Sequence, residues 1–501
     1  MDKKQTKEYI DRIFQLFWKE GVHDAFFILN LVICYLYLKR LDEKGVFEKS
    51  VKVSPFVNES VGKCKWRYLK KLDEREFGNN YINVVIPFLK QQVIGSYPIF
   101  YFLNNQIQII NENSLANYDL FCLMDELLDK SKKSSENVVA ISSYGYIYEE
   151  LLNQYHDVKG KKQVFVPRHI ARLMCELAEL KIEDSIYTPD LETGNLLVTA
   201  YSTIVSNNLL KENKYKDEDG FAVRDVSDSI FSKKQLDNLV LDGNQTSNED
   251  MFLTTMNFYF HDMSLVHDFT MQNLLSSDFK PANQRYSKII AAPLLGSLVK
   301  GQNVDEKLKE RVGKNSSAMY IERCLELLDE GGRLVFLIPE GFLFAHNSKT
   351  SKYREFILES CTLEAVISLP IGVLPNTSVK TSILVISKKM SSIEGKVWLC
   401  ELKNDGYSLN SKRLRNSETP LPQLVEKFKG REEGSNSLMD CFKVSQLEMK
   451  MHQAAWGVNF YNEYNKPEFE HENPQNIISD LKDLEQDIML ELIKLSNLLD
   501  L

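Results

Sequence analysis

Apolar residues open the chain at three- and four-residue spacing: Tyr9, Ile10, Ile13, Phe14, Phe17 and Trp18. That period predicts an amphipathic helix with one buried face. A second helix is expected from about Asp24 to Lys44, apolar through Phe26 to Leu38 and charged over Lys39-Arg40-Leu41-Asp42-Glu43-Lys44. The apolar run is thirteen residues long and is broken by Asn30. It is too short to cross a bilayer as a helix, so it reads as a buried core helix. The first part of the chain is therefore mainly helical, and the polar segment Lys130 to Asn137 reads as a linker or domain edge.

From Val138 the texture changes. A helix around Tyr146 to Tyr155 leads through a Lys/Gly-rich turn to Val164-Phe165-Val166-Pro167-Arg168. The next helix has Ile170, Leu173, Met174 and Leu177 on one face. Short apolar runs then alternate with helical ones. Ser185-Ile186-Tyr187, Lys288 to Ala292, Arg333 to Ile338, Leu363 to Leu369 and Thr381 to Ser387 read as strands, and Ser317 to Leu328 and Lys352 to Ser360 as helices. This alternation predicts an α/β fold, a doubly wound and largely parallel sheet. Phe252 to His261 reads as a helix despite its aromatics, and Lys211 to Gly220 as an exposed loop.

A strand over Val397 to Leu402 is expected to close the sheet, ahead of a polar stretch from Lys403 to Ser437. The end of the chain, Ile477 to Leu501, is amphipathic with coiled-coil-like spacing. It suits packing either on its own chain or on a partner helix. Three parts follow: a helical domain over 1–137, an α/β domain over 138–402, and an extension over 403–501 ending in the amphipathic helix.

Composition narrows the function. The 501 residues are 43% hydrophobic and 26% charged, ordinary for a globular protein of two to four domains. A net charge of −9 excludes a whole-surface attraction to nucleic acid; a DNA contact needs a local basic patch or a partner that supplies one. Eight cysteines stand singly, with no C-x-x-C pair, so neither a zinc site nor a disulfide framework is indicated, and a reducing cytoplasm fits. The polar start, Met1 to Lys7, is no signal peptide. His261 and His267 match no metal spacing, His169 reads as a surface or capping residue, and no P-loop is present.

The most informative stretch is residues 287–296, SKIIAAPLLG. It has the layout of a buried strand running out into a Pro-containing turn: Ala291, Ala292, Pro293, Leu294, Leu295, Gly296. Other segments keep a similar order along the chain. They are Leu31 to Lys44, Tyr144-Gly145-Tyr146-Ile147-Tyr148-Glu149-Glu150-Leu151-Leu152, Val164 to Arg168 with the helix at Arg172 to Leu177, Gly332 to Phe344 (GRLVFLIPEGFLF), and Leu363 to Lys388.

Taken together these segments resemble the methylation subunit of type I restriction–modification systems, an adenine-N6 DNA methyltransferase family. The resemblance implies a Rossmann-like methyltransferase sheet with an N-terminal helical DNA-embracing domain, S-adenosylmethionine as cofactor, and a DNA-recognition subunit as partner. In that family the cofactor turn is D-P-x-x-G-[ST]-G-x-x-L. The matching run here is Thr188 to Leu197, where Pro189, Thr193, Gly194 and Leu197 agree, Thr188 replaces the acid and Glu192 replaces the first glycine. Asp190 is a candidate shifted acid. The family's ribose-binding G-x-E corresponds to Gly243-Asn244-Gln245, and its D-(S/T)-L near the adenine to Gln272-Asn273-Leu274. Phe165 and Pro167 hold positions of the family's F-(F/Y)-T-P-R element.

The catalytic Asn-Pro-Pro-aromatic element falls on Ala292, Pro293, Leu294 and Leu295. In the family the Asn side chain and Pro carbonyl accept bonds from the adenine amino group, and the ring stacks on the flipped base. Ala292 lacks the acceptor and Leu295 the ring. A hydrogen bond and a stacking contact of roughly 1–3 kcal/mol each correspond to a loss on the order of 10²–10⁴ in rate. The expectation is a catalytically impaired methyltransferase-like subunit. It would bind a recognition subunit, duplex DNA within the complex and an active methyltransferase paralogue, with no membrane. The alternative is an active enzyme with a divergent site.

Overall fold

The structure, a computed structural model, describes residues 3–48, 61–94, 97–134, 143–159, 166–207, 215–216, 220–223, 231–263, 269–280, 285–293, 304–345, 348–374, 377–388, 395–409, 413, 415, 419–462 and 474–499. They form two units, Met1–Val458 and Asn459–Leu501.

The first unit begins with the helices α1 (Lys3–Lys19), α2 (Ala25–Glu43), α3 (Glu74–Asn80) and α4 (Ser114–Ser134). Asp24 starts α2: its carboxylate accepts from the Phe26 and Phe27 amides at 2.9 and 3.2 Å, satisfying donors that a helix start leaves open. α2 is buried almost all round, as its continuous apolar run requires. Its Tyr35 packs against Trp66, Tyr81 and Phe121. α4 continues to Ser134, so the segment expected to be a linker from Lys130 is helical over its first half. Lys and Ser suit a helix end as well as a linker, and the polar pattern alone does not separate the two states.

The helical core extends past residue 137. It takes in α5 (Ser143–Lys159) through Tyr148, Leu151 and Tyr155. Further along the chain come α6 (Arg168–Ala178), α7 (Asn195–Asn207) and α8 (Asn248–Phe260). One face of α8, with Phe252, Leu253, Met256 and Phe260, also joins the helical core. Arg40 pins the end of α8 to α2: it donates to the Phe260 carbonyl at 3.0 Å and pairs with Asp262 at 2.5 Å. Gly145 is glycine for a steric reason, because a Cβ there would stand 2.7 Å from His261 Nε2.

The sheet has ten strands: β1 (Ser185–Thr188), β2 (Val240–Gln245), β3 (Thr270–Met271), β4 (Tyr286–Ala291), β5 (Leu328–Pro339), β6 (Thr362–Ser368), β7 (Thr381–Ser387), β8 (Lys396–Leu402), β9 (Gly434–Ser435) and β10 (Met439–Ser445). Their spatial order is β3-β2-β1-β4-β5-β7-β6-β8-β10-β9. β3 through β5 run parallel, while β7 is antiparallel to both β5 and β6. The runs RLVFLI and TSILVIS fill the centre, where both faces are covered and continuous apolar sequence is needed. The α/β expectation holds.

β8 does not close the sheet. β10 pairs with it antiparallel from Lys396↔Ser445 to Leu402↔Met439, and β9 adds a short edge. Earlier in the chain α9 (Ser316–Leu327) precedes β5 and α10 (Ser348–Ser360) precedes β6, and a further helix lies between β8 and β9. α11 (Leu421–Gly430) buries Leu421, Leu424, Val425 and Phe428, a helical stripe that surrounding charges mask in the sequence. Most of the expected loop at Lys211 to Gly220 lies outside the described residues.

The second unit contains α12 (Pro474–Leu499). On it Ile478, Leu481, Leu484, Ile488, Met489, Leu492 and Ile493 are each more than half exposed. Among the described residues no helix is long and apolar enough to cross a membrane.

Candidate functional site

β1 and β4 lie side by side, and the chain leaves β1 toward one edge and β4 toward the other. Their carboxyl ends form the crevice where open α/β sheets place ligands. The turn from β1 into α7 carries Thr188 to Gly194, β2 ends at Gln245, and β4 runs out through Ala292 and Pro293. The fold thus gathers the cofactor turn, Gln245 and Ala292 at one end of the sheet.

The turn is tied down from below. Gln245 Nε2 donates to the Glu192 carbonyl at 2.7 Å and to Thr254 Oγ1 at 2.7 Å. Thr254 donates to the same carbonyl at 2.9 Å, and Asn257 to the Thr193 carbonyl at 2.8 Å. The Leu191 amide donates to the Asn244 carbonyl at 3.0 Å. Gln245 therefore faces inward and is fully buried. Glu192 has φ +49°, a left-handed conformation that costs a residue with a Cβ roughly 1–2 kcal/mol. The backbone keeps the shape that glycine takes without strain, while the side chain is a glutamate. Gly194, at φ +75°, meets Thr254 so closely that a Cβ would stand 2.9 Å from its methyl.

Leu191 decides how much room is left. A Cβ placed on Gly243 would stand 2.6 Å from Leu191 Cγ and Cδ2, so the leucine side chain lies directly on that glycine. Among the described residues the remaining cavity measures about 20 Å³ and is lined by Val166, Asp190, Glu192, Thr193, Ala292 and their neighbours. That holds one water molecule, whereas ligand pockets are of order 300–1,000 Å³.

Electrostatics follow from the same enclosure. Burial raises the Asp190 carboxyl to about 6, and the facing Asp250 carboxylate adds to the rise. Tyr320 of α9 stands nearby, its hydroxyl pushed up by burial and then by Asp190. Thr188 is buried, and its hydroxyl has no hydrogen-bond partner among the described residues. Asn273 is exposed and shapes a turn, accepting from the Leu275 amide at 2.9 Å; it does not line the cavity. Pro167 caps α6, while its neighbour Val166 reaches the cavity. Phe165, Leu294 and Leu295 lie outside the described residues. Leu191, Thr254 and Asn257 escape a reading of the sequence: the first sits at an unspecified motif position and the others are some sixty residues away. Among the described residues no three His, Cys, Asp or Glu side chains are placed to hold a metal ion.

The fold is a Rossmann-like methyltransferase sheet with an N-terminal helical region. A type I restriction–modification methyltransferase subunit from Streptococcus thermophilus superposes with a TM-score of 0.66 at 14% identity, over 92% of this chain and 99% of that one. A chain from a structure describing assembly of a type I system superposes at 0.59 and 17% identity, over 98% of both. The N-6 DNA methylase family matches residues 140–470, and the chain belongs to that family. It is 25% identical over 261 residues to the EcoEI methylase subunit of Escherichia coli, covering 52% of this chain and 48% of that one. The EcoKI methylase subunit of E. coli is 25% identical over 252 residues, 49% of this chain and 44% of that one. The chain spans about half the length of the curated relatives it matches.

Proposed function

We propose that this chain is a methyltransferase-like subunit of a type I restriction–modification-type defence complex, contributing DNA and partner binding without transferring methyl groups. The observation that carries the reading is the filled turn: Leu191 lies on Gly243, and the Gln245 amide is used inside the protein. S-adenosylmethionine, the family's cofactor, does not fit these residues. Leu191 covers Gly243 near the end of the neighbouring strand, Glu192 puts a carboxylate where the ligand's own carboxylate would approach, and the Gln245 amide nitrogen is spent on the Glu192 carbonyl and Thr254. Ala292 adds a methyl group where a base amino group would need an acceptor.

Binding roles remain open to the chain. In the helical region Lys63, Lys65, Arg67, Lys70 and Lys71 fall within nine residues, a local basic run that suits phosphates despite the negative total. The exposed apolar face of α12 suits a helix of a DNA-recognition subunit or of an active methyltransferase paralogue. The test is to purify the chain with its recognition subunit and supply labelled methyl donor and duplex DNA. Stable assembly and DNA retention without label incorporation supports the reading, and incorporation at adenine overturns it. One observation favours the second reading, an active enzyme with a divergent site: Asp190 lines the cavity two residues beyond the expected acid and could receive an ammonium group.

A further inference from the structure

Eight cysteines that stand alone in the sequence do not stay alone in the fold. Cys400 on β8 and Cys441 on β10 face each other in register, with sulfur atoms 3.2 Å apart, and both are fully buried as free thiols. The ladder fixes the kind of pair. The Lys403 amide donates to Leu438 and the Gln446 amide to Gly395, so 403/438 and 395/446 are hydrogen-bonded positions. Alternation inward from either end makes Cys400/Cys441 a non-hydrogen-bonded pair. Opposed Cα atoms at such positions are about 4.5 Å apart and their side chains are closest, inside the range a disulfide spans. A shared metal ion fits poorly, because two thiolates at ~2.3 Å from a tetrahedral zinc stand about 3.8 Å apart.

We propose that Cys400 and Cys441 are a site of reversible oxidation by peroxide, closing to a disulfide that staples β10 to β8. Cys441 is the attacking sulfur. Its thiolate is favoured by the hydrogen bond with Cys400, while burial raises both thiols and the Lys427 ammonium on α11 draws both down. The Cys441 thiolate attacks one peroxide oxygen, the O–O bond breaks, and a sulfenic acid forms as hydroxide leaves. The Cys400 sulfur then attacks that sulfenic sulfur, the S–O bond breaks, and water leaves with the thiol proton. Two thiols lose two electrons in total, and hydrogen peroxide becomes two waters. Both sulfurs lie in the core cluster that also holds Leu424 and Phe428 of α11. β10 is separated from the sheet edge only by the two-residue β9, and peroxide reaches the pair through local opening of this margin. The bond closes residues 400–441, including α11, into a covalent loop.

The experiment treats the purified full chain with hydrogen peroxide, quenches with iodoacetamide under native conditions, and maps a non-reduced digest by mass spectrometry. The expected result is a peptide pair joined through Cys400 and Cys441, loss of two of the eight thiols in the denatured chain, and reversal by dithiothreitol. Proteolysis within 403–440 slows several-fold in the oxidised form. Cys400→Ser leaves Cys441 as a sulfenic acid trapped by dimedone. If that variant fails to fold, the wild-type digest decides alone. Oxidation confined to the exposed Cys122, with Cys400 and Cys441 recovered as free thiols, overturns the proposal, as does their conversion to sulfinic acids without a cross-link.

Discussion

If Leu191 truly occupies the space above Gly243, the two positions are energetically coupled. Leu191 is 3% exposed. Leu191→Ala removes three buried carbons, and the lost transfer energy plus the partly collapsed space costs about 2–4 kcal/mol. Gly243→Ala forces a methyl to within 2.6 Å of the leucine side chain and of the Thr188 carbonyl, an overpacking cost of about 1–3 kcal/mol. In the double variant the new methyl enters space the leucine has left. The leucine part of the clash disappears and the Thr188 part stays. The two costs then fall short of additivity by about 1 kcal/mol or more. Thermal unfolding followed by circular dichroism reads this as a double variant melting about 1 °C or more above the sum of the single effects, because the first unit, Met1–Val458, is large. Additivity within about 0.3 kcal/mol would mean that the side chains do not touch, and the filled-pocket reasoning would fail.

Three more outcomes follow from the same structure. Asn30 is fully buried in α2 with neither amide atom partnered among the described residues, so Asn30→Leu, similar in size, is expected to stabilise the chain by about 1–3 kcal/mol in thermal or urea unfolding; a loss of stability would reveal a hidden partner. Asp190 sits at about 6 when folded against about 3.9 unfolded, so below that lower value both states keep the proton and nothing is lost. As pH rises between the two values the unfolded chain ionises first and stability falls, by on the order of 2–3 kcal/mol, then levels off. Asp190→Asn should remove that fall, and identical melting profiles for both proteins from pH 4 to 7 would refute the shift. Reversing Arg67 and Lys71 to Glu should weaken duplex binding and flatten its salt dependence by about one log unit per lost phosphate contact, measured by fluorescence anisotropy; unchanged binding would remove the basic run from the interface.

The central strands were legible because strands covered on both faces need continuous apolar runs, and RLVFLI and TSILVIS supply them. The edges were not. β3 and β9 are two residues each and leave no period to read. α11 was hidden because Lys and Glu crowd its exposed face, and the end of α4 because polar residues suit a helix end and a linker alike. At the site, residue types at motif positions were readable, and their erosion at Thr188, Glu192 and Ala292 could be stated in advance. How the space is filled was not readable. Leu191 matters through the absence of a side chain at Gly243, and Thr254 and Asn257 matter through where α8 lies. The Cys400–Cys441 pair depends on strand register forty-one positions apart, which single cysteines do not announce.

The most direct test is calorimetric titration of the full chain with S-adenosylmethionine. A turn closed by Leu191 and Gln245 predicts no binding heat up to millimolar ligand. Saturable one-to-one binding with micromolar affinity would contradict the account and restore the chain to its family's methyl-transferring members.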